Sequence, residues 1–341
     1  MPAPIPGGQL AKIVLAWTAI VLVLLGGWVF VENDYILRLM MLAAVDMIVV
    51  IPFGLLMGYM GYLAMGQASF FGLGAYVVGN LTVLRFELDY WPALLVAVLI
   101  TAAVAYVLSF PLFRLRGYHF AIGTLGVGQL AYLVFNSWSW FSGGTFGTSG
   151  VPPPAIGKFE IATNSRFYLL ASVFLLIAAF SSWWLVRGHV GLALRAIRQD
   201  EDLAAARGLN VLRYKRLIFV YAATFAGLGG ALYAPMQISF DPSSFTVWSS
   251  FEYVIYVVIG GAGTLLGPAI GVIFVTVLQQ VIQGFGGWNQ IVFGLLVVLV
   301  VLFFHGGLWG GFRLFCEAVA SRVAARGKTS HLPAENQVVG R

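Results

Sequence analysis

The sequence predicts an all-α polytopic membrane protein with about ten transmembrane crossings, some of them broken helices. Three observations carry that prediction. Of 341 residues, 60% are hydrophobic and 9% are charged, whereas a soluble domain carries about 25% charged residues. Mean hydropathy is +0.91. Apolar runs of about 20 residues, long enough to cross a bilayer as helices, recur along the chain. The 41 glycines agree, because small residues let helices in lipid approach closely.

Spans are expected near 11–31, 36–57, 63–84, 91–113, 118–136, 166–187, 217–238 and 289–310. The first follows "MPAPIPGGQLAK", is long for a signal's apolar region and lacks a small-residue cleavage site, so it reads as a span. Lysine and arginine in short loops set orientation. "RLRG" at 114–117 and the segment 188–216 are expected in the cytoplasm, and "ENDY" at 32–35 outside. Alternation then places the N-terminus inside and the 137–165 loop outside. Trp138, Trp140, Trp183 and Trp184 fall near span ends, as interfacial anchors do.

The stretch 251–283 is too long for one ordinary span. One crossing there would leave a tail bearing Arg313, Arg322, Arg326 and Lys328 outside. Two short crossings broken at "GGAGTLLGP" return the tail to the cytoplasm, and a re-entrant pair is the alternative. Broken helices at membrane depth occur where freed backbone groups face protein or water, as along transport paths. The expected organisation is a permease domain at 1–312 containing the 188–216 loop, with a cytoplasmic tail at 313–341.

One segment stands apart from this apolar background. Residues 187–217, "RGHVGLALRAIRQDEDLAAARGLNVLRYKRL", hold seven basic and three acidic residues, where the whole chain has 19 and 13. Leu194 and Ile197 share one helical face, with Arg195 and Arg198 on the other. Asp200 is placed to cap a second short helix, with Glu201 and Asp202 in its first turn where the dipole favours acids. Gly208 is a natural left-handed terminator. The pair reads as a rigid knob faced with small alanines, or as a solvated loop that merely sets topology.

Several classes find no support. The net charge of +6 sits in loops beside apolar spans rather than on a nucleic-acid face, so no nucleic-acid partner is expected. Cys316 is the single cysteine; with His119, His189, His305 and His331 scattered, no metal site is expected. Gly327-Lys328-Thr329 lacks the first glycine of a phosphate loop, whose position is Arg322. No catalytic constellation is present, so the chain reads as a transport subunit rather than an enzyme, with no cofactor of its own.

"GLALRAIRQDEDLAAARGLNVLRYKRLIFVYAATFAGLGGALYA" resembles the coupling loop and following span of ABC-importer permeases, specifically the LivM-like branch serving branched-chain amino acids. "GYMGYLAMGQASFFGLGAY" (58–76), "LRLRGYHFAIGTLGVGQL" (113–130), "SGGTFGTSGVP" (142–152) and "DPSSFTVWSSFEYVIYVVIGGAGTLLGPAIG" (241–271) resemble four further family segments, in family order. The resemblance implies a bacterial inner-membrane importer working by ATP-driven alternating access. Its partners would be separate ATP-binding subunits, a sister permease and an extracytoplasmic solute-binding protein. It further implies that Ala204, Ala205, Ala206 and Gly208 form the docking turn, with Arg195, Arg198, Asp200 and Glu201 around its rim.

For the substrate path, Asp46 lies within a span, where an acid needs a polar partner or water. It meets a substrate amino group or hydrogen-bonds a neighbouring helix. Gln67 and Gln129 stand where related permeases often carry His and Glu, and Tyr62 and Ala64 replace a more polar Gln and Ser. Gly143 and Gly144 in the external loop and Gly260 and Gly261 at the break complete the candidates. A lining so poor in charge suits leucine-like solutes more than urea. Urea or short-chain amides are the alternative cargo, and an ATP-independent secondary transporter is the alternative class.

Overall fold

The computed structural model describes Gly26, residues 33–156, 159–282 and 289–303, and Gly307, Leu308 and Gly310. The span expected over 11–31 and the tail at 313–341 lie outside the described residues, as do Cys316, His305, His331 and the Gly327-Lys328-Thr329 run.

Among the described residues, six helices are long and apolar enough to cross a membrane. They build on α1 (Asp34–Gly54), α2 (Gln67–Gly79), α3 (Tyr90–Leu112), α4 (Tyr118–Ser137), α6 (Asn164–Arg187) and α9 (Val211–Gln237). A π-helical turn at Leu55–Tyr59 extends α1, and another at Asn80–Leu84 extends α2. These match the expected spans closely, with two differences: α9 begins six residues before the expected 217, and the second concerns α2. Residues 60–66 are not helical, so α2 begins four residues later than the apolar run suggests. Gly61 has φ +81°, outside the right-handed helix, and the freed donors find side chains elsewhere. Met65 N–H donates to Thr124 Oγ1 at 2.9 Å and Ala68 N–H to Ser250 Oγ at 3.0 Å. Protein thus replaces the water that an unwound segment lacks in lipid.

The long stretch at 251–283 is broken as expected, into α10 (Val247–Gly260) and α11 (Gly267–Ile282). At 1.5 Å per residue these are about 21 and 24 Å long, short of a hydrocarbon core of about 30 Å. They pack side by side with backbones touching: a Cβ on Gly260 would lie 1.9 Å from the Gly267 carbonyl oxygen. A further apolar helix, α12, covers Asn289–Phe303.

The core forms around α9, which packs against α2, α3 and α1. Small residues allow it. A Cβ on Gly74 would sit 2.0 Å from the Gly227 carbonyl oxygen, and one on Gly230 1.8 Å from that of Phe71. An aromatic group of Phe71, Tyr76, Phe135, Phe240 and Phe245 fills the space beside this crossing. Leu95, Leu99, Ile122, Ile177 and Leu295 are instead exposed, an apolar outer surface suited to lipid.

The 137–165 loop is folded. The short α5 (Ser139–Ser142) leads into β1 (Thr148–Ser149), β2 (Ala155–Ile156) and β3 (Phe159–Glu160). β1 pairs antiparallel with β4 (Ser239–Phe240), and β2 with β3. Asn80 Nδ2 donates to the carbonyls of Trp140 and Phe141, fastening this cap to the end of α2.

Candidate functional site: the charged insert and the broken segments

The insert folds as two short helices, α7 (His189–Gln199) and α8 (Glu201–Ala206). Leu194 and Ile197 are buried beneath α7. Asp200 Oδ1 accepts from Leu203 N–H at 2.9 Å, the expected cap. Gly208 has φ +85°, the expected left-handed stop. Leu203, Ala205, Ala206 and Gly208 are exposed and form a blunt tip. Ala204 is a correction: it is 3% exposed, because it lies on the face of α8 that packs on the chain itself.

Of the four charges expected around the rim, Arg195, Arg198 and Asp200 are exposed and Glu201 is half-buried, and three of them also contact this chain. Arg198 donates to the Gly58 carbonyl, and its side chain lies beside Gly61 and Gly263. The Arg195 guanidinium lies 5.4 Å from the centre of the Tyr59 ring. Glu201 accepts from Lys215 Nζ at 2.5 Å and from the Tyr62 hydroxyl at 2.7 Å, and Lys215 also donates to that hydroxyl. The Lys215 side chain is 1% exposed and that of Glu201 24%. A buried charge without a partner is costly, so the lysine draws the carboxylate in. Asp200 stays exposed. Asp202 meets Arg116 at 3.3 Å with side chains 81% and 70% exposed, a pair contributing at most about 1 kcal/mol.

Burial pushes the Glu201 carboxyl up, but the hydrogen bonds from Lys215 and Tyr62 outweigh it and hold the group below its usual range. Burial, followed by the hydrogen bond to Glu201, raises the Tyr62 phenol, so it remains a donor. Two arginines and a Glu–Lys–Tyr network therefore tie the insert to residues 58–62, the π-helical end of α1 and the start of the unwound stretch that follows it. Sequence reasoning missed Lys215, although a signal was there: Lys215, Ile218, Phe219 and Ala222 follow helical spacing and are all buried.

The expected path residues are not gathered in one place. Asp46 is half-buried on α1, within electrostatic reach of Glu252, Tyr233, Tyr253 and Tyr256. Gln67 is buried and donates to the Ala222 carbonyl at 3.0 Å, a tie between α2 and α9. Gln129 is exposed on the outside of α4, away from Gln67. Gly143 and Gly144 make the turn of the cap, where a Cβ on Gly143 would meet the Gly147 carbonyl oxygen at 1.9 Å. Gly260 and Gly261 form the tight exit from α10, Gly261 with φ +116°.

A family model described as branched-chain amino acid transport system / permease component matches residues 35–304. The chain is 28% identical over 310 residues to the high-affinity branched-chain amino acid transport system permease protein LivM of Escherichia coli (strain K12), covering 84% of this chain and 73% of that one. It is 29% identical over 199 residues to the autoinducer 2 import system permease protein LsrC of Enterobacter sp. (strain 638), covering 55% and 54%. With the fructose import permease protein FruG of Bifidobacterium longum (strain NCC 2705) it shares 26% identity over 152 residues, covering 42% and 44%. No solved structure matches. A match over most of the length, on a helical membrane fold with a charged two-helix insert, places the chain in the family of branched-chain amino acid transport permeases, the membrane components of ABC importers.

Proposed function

We propose that this permease imports branched-chain or related small amino acids across the inner membrane, with both termini in the cytoplasm. ATP is hydrolysed on separate subunits that dock at the 188–216 loop. A sister permease lines the other side of the path, and a solute-binding protein delivers cargo at the cap. The exposed tip of α8, capped by Asp200 and ended at Gly208, carries the reading. Its small residues suit a cleft on another protein, and Glu201 at its start is held within this chain.

For the cargo, the support is the extent of similarity. The branched-chain relative matches 84% of the chain, against 55% and 42% for relatives named for autoinducer 2 and fructose. The Asp46 and Glu252 carboxyls among three tyrosines suit an ammonium group. Those shorter matches favour a second reading, a sugar-like solute.

The test is purification from membranes followed by uptake into vesicles, with leucine, fructose and urea as probes. Association with an ATPase, lost in Ala206→Arg, together with ATP-dependent leucine uptake, is the expected result. Flux through the chain purified alone would overturn the ATP-driven reading. Fructose or urea uptake without leucine uptake would overturn the cargo.

A further inference from the structure

A groove of about 900 Å³ runs down the outer face of the bundle between α3, α6 and α9. At one end it is lined by Asn210, Arg213 and Arg216, and along its length by Trp184, Leu217 and Val220. Its lining holds two arginines and no acid. The Arg216 guanidinium lies 4.1 Å from the centre of the Phe110 ring, and its buried Nε has no hydrogen-bond partner among the described residues. Arg213 and the apolar wall residues Trp184 and Leu217 are exposed.

The deep end carries hydroxyls, but the protein has already satisfied them. Tyr221 shares its hydroxyl with Ser181 at 2.7 Å and Ser182 at 2.8 Å, and Thr224 donates to the Val220 carbonyl at 2.6 Å. What remains there for a ligand is apolar. From Arg213 to Thr224 the groove follows about 17 Å of helix, close to the depth of one leaflet of a core about 30 Å thick. An occupant must therefore be anionic at the arginine end, apolar for a leaflet's depth, and able to enter from the side.

We propose that this groove is a binding site for an anionic phospholipid. The phosphate lies between Arg213 and Arg216, and one acyl chain runs along Leu217 and Val220. Basic pockets between transmembrane helices near the interface select such headgroups. The face is level with the charged insert, because Asn210 both lines the groove and caps α9. The lipid then sits against the helix whose Lys215 holds Glu201. A zwitterionic lipid offers the same chains but no net charge to the arginine pair.

The test uses the full chain, purified from membranes with the subunits that accompany it and exchanged into phosphatidylglycerol or phosphatidylcholine. Native mass spectrometry counts the lipids that survive detergent washing. The expected result is one retained phosphatidylglycerol per chain, at least about tenfold over phosphatidylcholine. That preference falls to near parity in Arg213→Gln/Arg216→Gln, and retention is lost in Leu217→Trp, which fills the groove and keeps both arginines. Glycerol phosphate added in solution is expected not to displace the lipid, and displacement would reassign the site to a free phosphate compound. Equal retention of both lipids by the unaltered chain would overturn the proposal without any variant. So would a Leu217→Trp chain that keeps its lipid but loses an accompanying subunit, which would assign the groove to that subunit.

Discussion

Lys215 and Glu201 lie 14 residues apart in sequence and meet at 2.5 Å, joining the second turn of α9 to the first residue of α8. Tyr62 closes the network from the unwound stretch between α1 and α2. The lysine is 1% exposed. A displacement of α8 would therefore reach Tyr62 through these bonds rather than through solvent.

The network makes the two ends of the ion pair unequal. Glu201→Gln strands a buried ammonium, whereas Lys215→Met leaves a carboxylate that retains some access to water. Each substitution is expected to cost about 1–3 kcal/mol, with Glu201→Gln the more damaging. The double variant is expected to cost at least about 1 kcal/mol less than the sum of the singles. Thermal unfolding of the four proteins in one detergent measures this, and simple additivity would dissolve the network.

The same carboxyl predicts a pH dependence. Its folded pKa lies below the ordinary 4.5, so it contributes stability above that value and loses it as pH falls through the folded pKa. The unaltered protein should lose stability more steeply than Glu201→Gln below about pH 4.5, with the carboxyl's own contribution to their difference flat above about pH 5. Parallel acid limbs in the two unfolding profiles would contradict the assignment.

The sequence showed the helices plainly, because apolar runs of spanning length need no partner to be recognised, and the break at 251–283 followed from its length and glycines. The caps at Asp200 and Gly208 were also local, and they were read. Partners distant in the chain were not. Arg198 and Gly58 are 140 residues apart, and nothing in "LRAIRQDE" distinguishes a charge facing a subunit from one facing the chain's own backbone. The unwinding of 60–66 was hidden for a related reason: "MGYLAMG" is apolar throughout, and its donors are met by Thr124 and Ser250 from other helices. Gln129 lies on the exposed side of α4, and a rotation of one or two residues about a helix is enough to separate its two faces, which a sequence window does not fix.

Docking and transmission should separate by residue. Ala206 is on the exposed tip, and a charge wedged into an interface there costs about 2 kcal/mol, roughly thirtyfold in affinity. Ala206→Arg is therefore expected to release the ATP-binding subunit. Arg198 faces Gly58 instead, so Arg198→Ala should keep the subunit bound while lowering the solute moved per ATP hydrolysed. Co-purification and coupled uptake, measured on both variants, check this. Loss of the subunit from Arg198→Ala would return that arginine to the docking rim.

The crossing of α2 and α9 sets the last prediction. At Gly74 an added methyl meets the Gly227 carbonyl oxygen at 2.0 Å and the Gly227 Cα at 2.7 Å. Both are backbone atoms, so no side-chain rotation relieves the clash and the two central helices must separate. Gly74→Ala is expected to destabilise by about 1–3 kcal/mol or more, the range for overpacked cores. Gly126 on α4 has nothing within 4 Å of its added methyl, so Gly126→Ala should instead gain up to about 1 kcal/mol from helix propensity. Thermal unfolding of the pair separates close packing from a general intolerance of alanine. If Gly74→Ala unfolds with the unaltered protein, the α2–α9 crossing is looser than backbone contact requires, and α9 is free to shift against α2 without the insert driving it.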